Sequence, residues 1–265
     1  MRLYKIFRMT VQQITNALET LAPLAYAEDF DNTGLLVGSY TQEVTGVLIT
    51  LDTLETVVDE AIATQCNLIV SFHPIIFKGL KKITDTTYVT RTVKKALEKK
   101  IAIYAIHTAL DNANLGVSHK MAEKLNLINS QTLIPQKNTL KKLVTYIPTS
   151  NFETVQEALF QAGAGQIGAY SHCSFNVAGQ GSFLPLETAN PTIGEVQKRT
   201  LVNEQKLSVV FQAHLETSIL KALKTAHPYE EVAFEIFTLE NTNPYIGMGK
   251  IGTLAKPLSG TDFLA

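Results

Sequence analysis

Three short runs that are almost entirely apolar constrain the fold of this chain more than any other feature of its sequence. They are Gly46–Leu51, Leu68–Val70 and Ile101–Ile106, and amphipathic helical patterns lie between them at Thr53–Thr64 and Val89–Lys100. A strand that is apolar at every position is buried on both faces, which is typical of a parallel sheet covered by helices. We therefore predict an α/β domain with a mostly parallel sheet and flanking helices.

The pattern changes after about Asn129, where apolar and polar residues begin to alternate. Alternating strands are predicted at Lys141–Ile147, Tyr170–Ala178 and Val232–Leu239. Alternation indicates strands with one exposed face. Because a strand–helix–strand order occurs twice in this region, we predict a ferredoxin-like α+β unit here.

These two patterns divide the sequence into three parts. We predict an N-terminal α/β domain at residues 1–130 and a ferredoxin-like insert at 131–245. Residues 246–265 are rich in glycine and are predicted to be a linker or return strand. The run that begins at Ser259 resembles the start of a new helix, so we expect this last part to open a further segment.

Composition excludes several classes of protein. The chain has 265 residues, of which 45% are hydrophobic, so a packed core is available. With 23 Lys and Arg against 24 Asp and Glu, the net charge is −1, and no nucleic-acid partner is expected. No apolar run reaches the roughly 18 residues of a membrane span, and the N-terminus lacks the apolar region of a signal peptide. We therefore expect a cytoplasmic protein with no membrane partner.

The cysteine content restricts the kind of metal site that is possible. Cys66 and Cys173 are the only cysteines and lie far apart in the sequence. A disulfide framework and a cysteine-based zinc cluster are therefore excluded. Any metal site must use histidine and carboxylate ligands.

Residues with that chemistry follow two of the predicted strands. His73 follows the second apolar run, and His107 and Asp111 follow the third. Ligands of open parallel sheets lie beyond the carboxyl ends of the strands, so we expect these side chains to converge, together with a loop that carries Asp29 and Asp31. Imidazole and carboxylate groups suit Zn, Mn or Fe(II). Alternatively, the histidines are ordinary polar residues and the loop is a self-capping turn.

Three other groups have a functional and a structural interpretation. The segment His227–Glu231 is either a metal- or phosphate-handling turn or the exit of a helix into a strand. Lys78 and Lys81 either attract an anionic substrate or are simply solvated. The glycine-rich run Gly163–Gly168 follows a helix rather than a strand, so a dinucleotide-binding loop is excluded there.

Several linked motifs carry a resemblance to a known family. They are Leu21–Gly38, Ser71–Phe77, Ile106–Asn112, Ala226–Phe234 and Gly247–Gly252. Together they resemble the Nif-three-like family of hexameric proteins with a dinuclear metal centre, often described as GTP cyclohydrolase I type 2 homologues. The resemblance implies a homohexamer with two divalent metal ions (Zn, Fe or Mn) per subunit. It also implies that the insert is PII-like (CutA-like).

The resemblance also implies roles for single residues. His73 matches the second histidine of a paired His–His ligand motif, and Asp111 matches the aspartate that bridges or ligates the metals. His107 matches a pocket histidine, for which we expect a catalytic role in orienting substrate or moving a proton. Asp31 and Asn32 match the loop that lines the pocket.

The sequence departs from the family pattern in two ways. Phe72 stands where the family has the first histidine of the pair, and a phenyl ring has no donor atom. The family's remaining His and Glu ligands lie in a segment after the insert, which we expect beyond Ala265. We therefore expect weak metal binding by these 265 residues, and an apolar face left open near Leu48–Leu51 or Leu68–Val70.

Two functions fit these observations. The first is a metal-dependent hydrolase of the GTP cyclohydrolase type, in which metal-bound water attacks a nucleotide-like substrate. The alternative is a non-enzymatic metal-handling or regulatory scaffold, whose PII-like insert binds a small molecule or a partner protein. The missing imidazole at Phe72 favours the alternative.

Overall fold

The computed structural model describes residues 9–264, which divide into two compact units. Unit 1 comprises 9–136 and 244–264, and unit 2 is Lys137–Asn243. Each unit has its own hydrophobic core. Within the described residues, no helix has both the length and the apolar character needed to cross a membrane.

The helices and strands are numbered along the chain. The helices are α1 (Val11–Leu21), α2 (Glu55–Ala63), α3 (Tyr88–Glu98), α4 (His107–Asn112), α5 (Val117–Lys124), α6 (Phe152–Gln161), α7 (Glu216–Ala226) and α8 (Gly260–Leu264). The strands are β1 (Gly34–Val37), β2 (Val47–Thr50), β3 (Leu68–Ser71), β4 (Ala102–Ala105), β5 (Leu127–Pro135), β6 (Leu140–Pro148), β7 (Ser174–Phe183), β8 (Thr200–Gln212), β9 (Phe234–Thr238) and β10 (Gly247–Leu254).

Unit 1 is built on a four-stranded sheet with the order β1-β4-β3-β2. Strands β2, β3 and β4 are parallel, and β1 pairs antiparallel with β4 at one edge. The central strands are buried at every position, because α2 and α3 pack on the Ile69 face and α1 packs on the Leu68 face. The predicted α/β domain with a mostly parallel sheet is therefore confirmed.

Two of the exposed apolar side chains of unit 1 lie in β2 and just after it. Ile49 is 80% exposed and Leu51 is 61% exposed, whereas Leu68–Val70 is buried. Of the two segments expected to be open, only the first is, because β2 is an edge strand and β3 lies in the middle of the sheet.

Strands β5 and β10 form a two-stranded antiparallel sheet that belongs to unit 1. The sequence predicts the insert at 131–245 and a linker or return strand at 246–265. The structure places unit 2 at Lys137–Asn243, and residues 247–254 form strand β10, as expected for a return strand. The boundaries differ because β5 and β10 pair across more than a hundred residues, and such a pairing leaves no local sequence pattern.

Gly247 allows the two strands to approach at the start of this pairing. Its φ is +144°, and a Cβ atom there would lie 2.1 Å from the carbonyl oxygen of Ile134. Only glycine fits a strand at such a short distance from another backbone.

Unit 2 has the element order β6-α6-β7-β8-α7-β9 around one antiparallel sheet. Its strand order is β7-β8-β6-β9, which is the βαββαβ arrangement of a ferredoxin-like fold. Strand β9 pairs with β6 and not with the parallel sheet of unit 1. Strand β7 begins at Ser174 rather than at Tyr170, because His172 has a φ of +60° and lies in a turn.

The two faces of this sheet differ. One face packs against α6 and α7 and carries the core, which includes Leu143, Leu207 and Phe211. The other face carries Tyr146 and Lys206, which are cross-strand partners. Unit 2 therefore has a sheet face that is not covered by its helices.

His227 is a buried histidine at the junction between α7 and β9. The residue is only 6% exposed, and its Nε2–H donates to the carbonyl of Tyr146 at 3.0 Å. Its Nδ1 accepts from the backbone N–H of Tyr229 at 3.2 Å. Burial lowers the pKa of His227, and this outweighs the opposing effects of the Tyr146 carbonyl and of Glu204. The folded unit therefore holds the neutral ring, and the motif is the structural exit of a helix.

We expect the free energy of unfolding to fall less between neutral and mildly acidic pH in His227→Gln than in the unchanged chain. In the unfolded chain this histidine takes up a proton near its ordinary pKa of about 6.5, whereas the folded state resists protonation. The stability that depends on the neutral ring is therefore present above about pH 6.5 and is lost as the pH falls towards the lowered folded pKa. Urea denaturation at several pH values measures this loss. The matched control is His172→Gln, which replaces an exposed histidine of the same unit, and equal pH profiles for the two variants would contradict the assignment.

Candidate metal centre

Hydrogen bonds beyond the ends of β3 and β4 bring together the residues that follow these strands. The backbone N–H of Ile106 donates to the carbonyl of Ser71 at 3.1 Å. The next N–H, from His107, donates to the carbonyl of Phe72 at 3.0 Å. The backbones therefore stay paired as far as Phe72 and His107. The imidazole centroids of His73, the next residue, and His107 lie 5.4 Å apart.

The backbone of His107 adopts an uncommon conformation. Its φ is +28°, in a region that costs a residue other than glycine about 1–3 kcal/mol. Such strain persists where surrounding contacts fix the backbone, and it is concentrated at functional sites. It supports a functional role for the first turn of α4.

Asp31 orients the ring of His107. The Asp31 side chain is fully buried, and both of its carboxylate oxygens lie 2.9 Å from His107 Nδ1. Thr108 donates to the same carboxylate from its backbone N–H, at 3.1 Å, and from its hydroxyl. The proton of the neutral His107 ring is therefore held at Nδ1, and Nε2 carries the free lone pair.

These contacts keep the Asp31 carboxylate ionised. Burial by itself raises the pKa of Asp31, but hydrogen bonds from Thr108, His107 and the backbone of Asn32 outweigh burial and lower it. Asn32 also donates from its side-chain amide to the carbonyl of Ile76, which joins this loop to the loop after β3. The two loops are thus fixed to each other around the histidines.

His73 is oriented by Asp52, which the sequence analysis did not identify. Its Nδ1 lies 2.7 Å from Asp52 Oδ1, and both side chains are about half exposed. Asp52 follows β2 at the same edge where His73 follows β3, and that position could have identified it. Within the described residues, neither His73 Nε2 nor His107 Nε2 has a hydrogen-bond partner. A carboxylate at one ring nitrogen and a free second nitrogen are typical of metal-binding histidines.

Asp111 lies on α4 four residues after His107, and therefore on the same face of the helix. Burial raises the pKa of Asp111. The charges of His107 and His73 lower it, and that of Asp31 raises it, so the carboxyl group is within electrostatic range of all three. The structure thus brings Asp111 and both predicted histidines to one edge of the sheet.

Phe72 lies beside both histidines. Its ring centroid is 5.0 Å from that of His73 and 5.3 Å from that of His107, in edge-to-face arrangements. The residue in the place of the expected imidazole therefore contributes packing and no donor atom.

The donor set has the right chemistry for Zn, Fe or Mn but is not a complete site. Across residues 9–264, no three His, Cys, Asp or Glu side chains lie close enough together to hold a metal ion. Stable protein zinc sites have three or four protein ligands. The described residues therefore do not form a zinc site of this kind by themselves.

The remaining sequence candidates lie elsewhere or serve the fold. Lys78 and Lys81 are exposed in the loop after β3. In the run Gly163–Gly168, the N–H of Gly165 donates to the carbonyl of Val210 at 2.8 Å, so this run is a structural turn.

We expect Asp31→Ala to lower the free energy of unfolding by about 2–4 kcal/mol, because it leaves buried donors of His107 and Thr108 without an acceptor. Since the folded pKa of Asp31 is lowered, its contribution is present above about pH 4 and is lost as the pH falls through that lowered value. Urea denaturation measures both effects. Asp29→Ala, at an exposed neighbour, should change stability by less than about 0.5 kcal/mol, and equal losses would contradict the role of Asp31.

Comparison with known proteins identifies the family. The family model Duf34/NIF3 (NGG1p interacting factor 3) matches residues 9–265. The chain is 43% identical over 253 residues to the GTP cyclohydrolase 1 type 2 homolog of Bacillus subtilis, covering 95% of this chain and 68% of that protein. It is 40% identical over 255 residues to the protein of the same name from Listeria innocua, with the same coverage.

Solved structures agree with this assignment. A Bacillus cereus protein related to NIF3 superposes with a TM-score of 0.84 and 38% identity, covering 97% of this chain and 69% of that one. A Staphylococcus aureus protein superposes with a TM-score of 0.68 and 30% identity, covering 97% and 67%. These matches confirm the resemblance that the sequence motifs carry, and the chain belongs to the Duf34/NIF3 family.

Proposed function

We propose that this chain forms part of the metal centre of a divalent-metal-dependent hydrolase that acts on a nucleotide-like substrate. The observation that carries the proposal is the pair of neighbouring imidazoles, each oriented by a carboxylate, with Asp111 within electrostatic range of both. A purely structural role for these histidines would not explain why two oriented rings, each with a free Nε2 atom, lie together at one edge of the sheet.

In this proposal His73 and Asp111 are metal ligands. Asp52 holds the proton of His73 at Nδ1, so the Nε2 lone pair is available to a metal. A metal cation bound by the partly buried Asp111 carboxylate would offset the free-energy cost of burying that charge. A bound divalent ion acts as a Lewis acid and lowers the pKa of a bound water to about 7.

His107 acts as the general base and acid. Its Nδ1–H is fixed on Asp31, which leaves Nε2 free to accept a proton from a water and to return it to a leaving group. The ionised Asp31 stabilises the imidazolium that forms. Lys78 and Lys81, which are exposed in the loop after β3, would pair with a substrate phosphate.

The complete centre requires ligands from outside residues 9–264, since the described donors are too few. We propose a homohexamer with two divalent ions per subunit, as the family resemblance implies. The relatives that are named GTP cyclohydrolase 1 type 2 homologs are longer than this chain, which spans about two thirds of their length. The proposed substrate class rests on that name and on the exposed lysines of the loop after β3.

Unit 2 is proposed to be a PII-like insert. Its support is the βαββαβ order and the antiparallel strand order of its sheet.

The alternative function, a non-enzymatic metal-handling or regulatory scaffold, is favoured by one observation. Phe72 occupies the space beside both histidines and provides no ligand. Fewer ligands weaken metal binding and leave its geometry less defined.

We expect the 265-residue chain to bind Zn²⁺ or Mn²⁺ weakly or at partial occupancy, and His73→Ala or Asp111→Ala to weaken that binding at least about tenfold. Equilibrium dialysis followed by elemental analysis measures the bound metal. The matched controls are His172→Ala and Glu153→Ala, at exposed positions of unit 2, which should bind as the unchanged chain does. Unchanged metal content in both His73→Ala and Asp111→Ala would contradict the site.

Turnover separates the two functions. For the hydrolase, GTP is consumed in the presence of the metal, a chelator abolishes consumption, and His107→Ala reduces it without equal loss of metal. Bound metal without chelator-sensitive turnover would favour the scaffold.

A further inference from the structure

Unit 2 contains a cavity that no part of the proposed metal chemistry uses. Its volume is about 590 Å³, which is within the range of small-molecule sites. It lies on the sheet face opposite α6 and α7, and the segments 184–193 and 229–233 form its other walls. All of its lining residues belong to unit 2, so it shares none with the candidate metal centre.

The floor of the cavity is formed by cross-strand partners. Lys206 pairs with both Tyr146 and Val177, and Glu204 pairs with Gly179. Partners in an antiparallel sheet point to the same face, so these rows define the floor. The Lys206 ammonium group lies over the Tyr146 ring, 5.9 Å from its centroid.

Two glycines of β7 open the space above this floor. A Cβ atom at Gly179 would meet no atom within 4 Å. At Gly181 a Cβ atom would lie 2.2 Å from the Glu204 carboxylate, so only glycine leaves room for that group. The cavity therefore exists because Gly179 and Gly181 have no side chains to fill it.

The loop between β7 and β8 is fixed over the cavity by polar contacts. The backbone N–H of Asn190 donates to Glu230 at 3.0 Å, and the Thr192 hydroxyl donates to the carbonyl of Pro228 at 2.8 Å. These contacts join the loop to the segment that follows α7. The cavity thus has a defined wall, which a specific ligand requires.

Glu204 is the charged group that the cavity leaves uncompensated. The residue is 92% buried, and Tyr229 donates its hydroxyl to Oε1 at 2.7 Å. Burial and the hydrogen bond to Glu204 raise the pKa of Tyr229, so its hydroxyl remains a donor. Within residues 9–264, Glu204 forms no ion pair with Lys, Arg or His, and Oε2 has no hydrogen-bond donor. A buried carboxylate without a cation is costly, and a ligand that brings a cation removes that cost.

We propose that this cavity binds a small organic cation with an aromatic or apolar body. The ammonium or amidinium group of the ligand pairs with Glu204 Oε2. Its body packs against the apolar wall and against the rings of Phe183 and Tyr229, whose centroids lie 5.7 Å apart. Glu230 and Glu231, also in the lining, add to the negative potential, which outweighs the single charge of Lys206. An anion of the same shape is rejected by these carboxylates.

Three probes with one ring system and different charges test the proposal. Tryptamine is a cation, tryptophol is neutral and indole-3-acetate is an anion. Binding to the 265-residue chain is measured by titration calorimetry without added metal, and amide shifts in NMR spectra locate the site. We expect tryptamine to bind at least about tenfold more tightly than tryptophol, because a charge-assisted hydrogen bond replaces a neutral one. Indole-3-acetate should bind more weakly than either.

Two variants assign the binding to the cavity. Glu204→Gln keeps an acceptor for Tyr229 but removes the charge, so it should abolish the preference for tryptamine and leave tryptophol binding unchanged. Gly179→Leu fills the open space and should abolish binding of both probes. Glu153→Gln, at an exposed glutamate of α6, is the matched control and should bind as the unchanged chain does.

Equal affinities for the three probes, a preference that survives Glu204→Gln, or no binding of tryptamine in the millimolar range would overturn the proposal. Urea denaturation shows whether each variant is folded. If Gly179→Leu does not fold, Glu204→Gln and the amide shifts of Gly179 and Gly181 still decide the question. Because no metal is added, the result is independent of the proposed hydrolase activity.

Discussion

The parallel pairing of β3 with β4 is the constraint on which the candidate site depends. Both strands are buried at every position, so their register is fixed by packing on both faces. Backbone hydrogen bonds continue this register past the strand ends to Phe72 and His107. The histidines therefore meet because two apolar strands pair, and not because the histidines attract each other. A slip of this register would separate the rings and would also expose the core.

Around this pairing, polar contacts give each functional group a defined state. Asp31 is buried and ionised because Thr108 and His107 donate to it, and it in turn fixes the tautomer of His107. Asp52 does the same for His73 at a more exposed position. The site combines a rigid, strained first turn of α4 with a partly buried carboxyl group at Asp111. Groups held in costly environments of this kind are typical of functional sites.

The two units illustrate different uses of a sheet. In unit 1 both faces of the central strands are covered, and the candidate metal centre lies beyond the strand ends. In unit 2 the helices cover one face, and the other face holds a cavity bounded by Gly179, Gly181 and the loop after β7. Polar residues there serve two purposes. His227 stabilises the junction after α7, whereas Glu204 is a buried carboxyl group that forms no ion pair within residues 9–264.

The sequence by itself determined the α/β class of unit 1 and the strand and helix order of unit 2. It also determined that His73, His107 and Asp111 follow strand ends. These features are visible in the sequence because burial on one or two faces produces a local pattern of apolar residues. Tertiary structure alone decided the pairing of β5 with β10, which moved the unit boundaries to Gln136 and Asn243. It also decided the surroundings of Asp52 and Glu204, since a carboxylate acquires its hydrogen-bond partners from residues that are distant in the chain. Local patterns record how deeply a residue is buried, whereas long-range contacts determine which groups it meets.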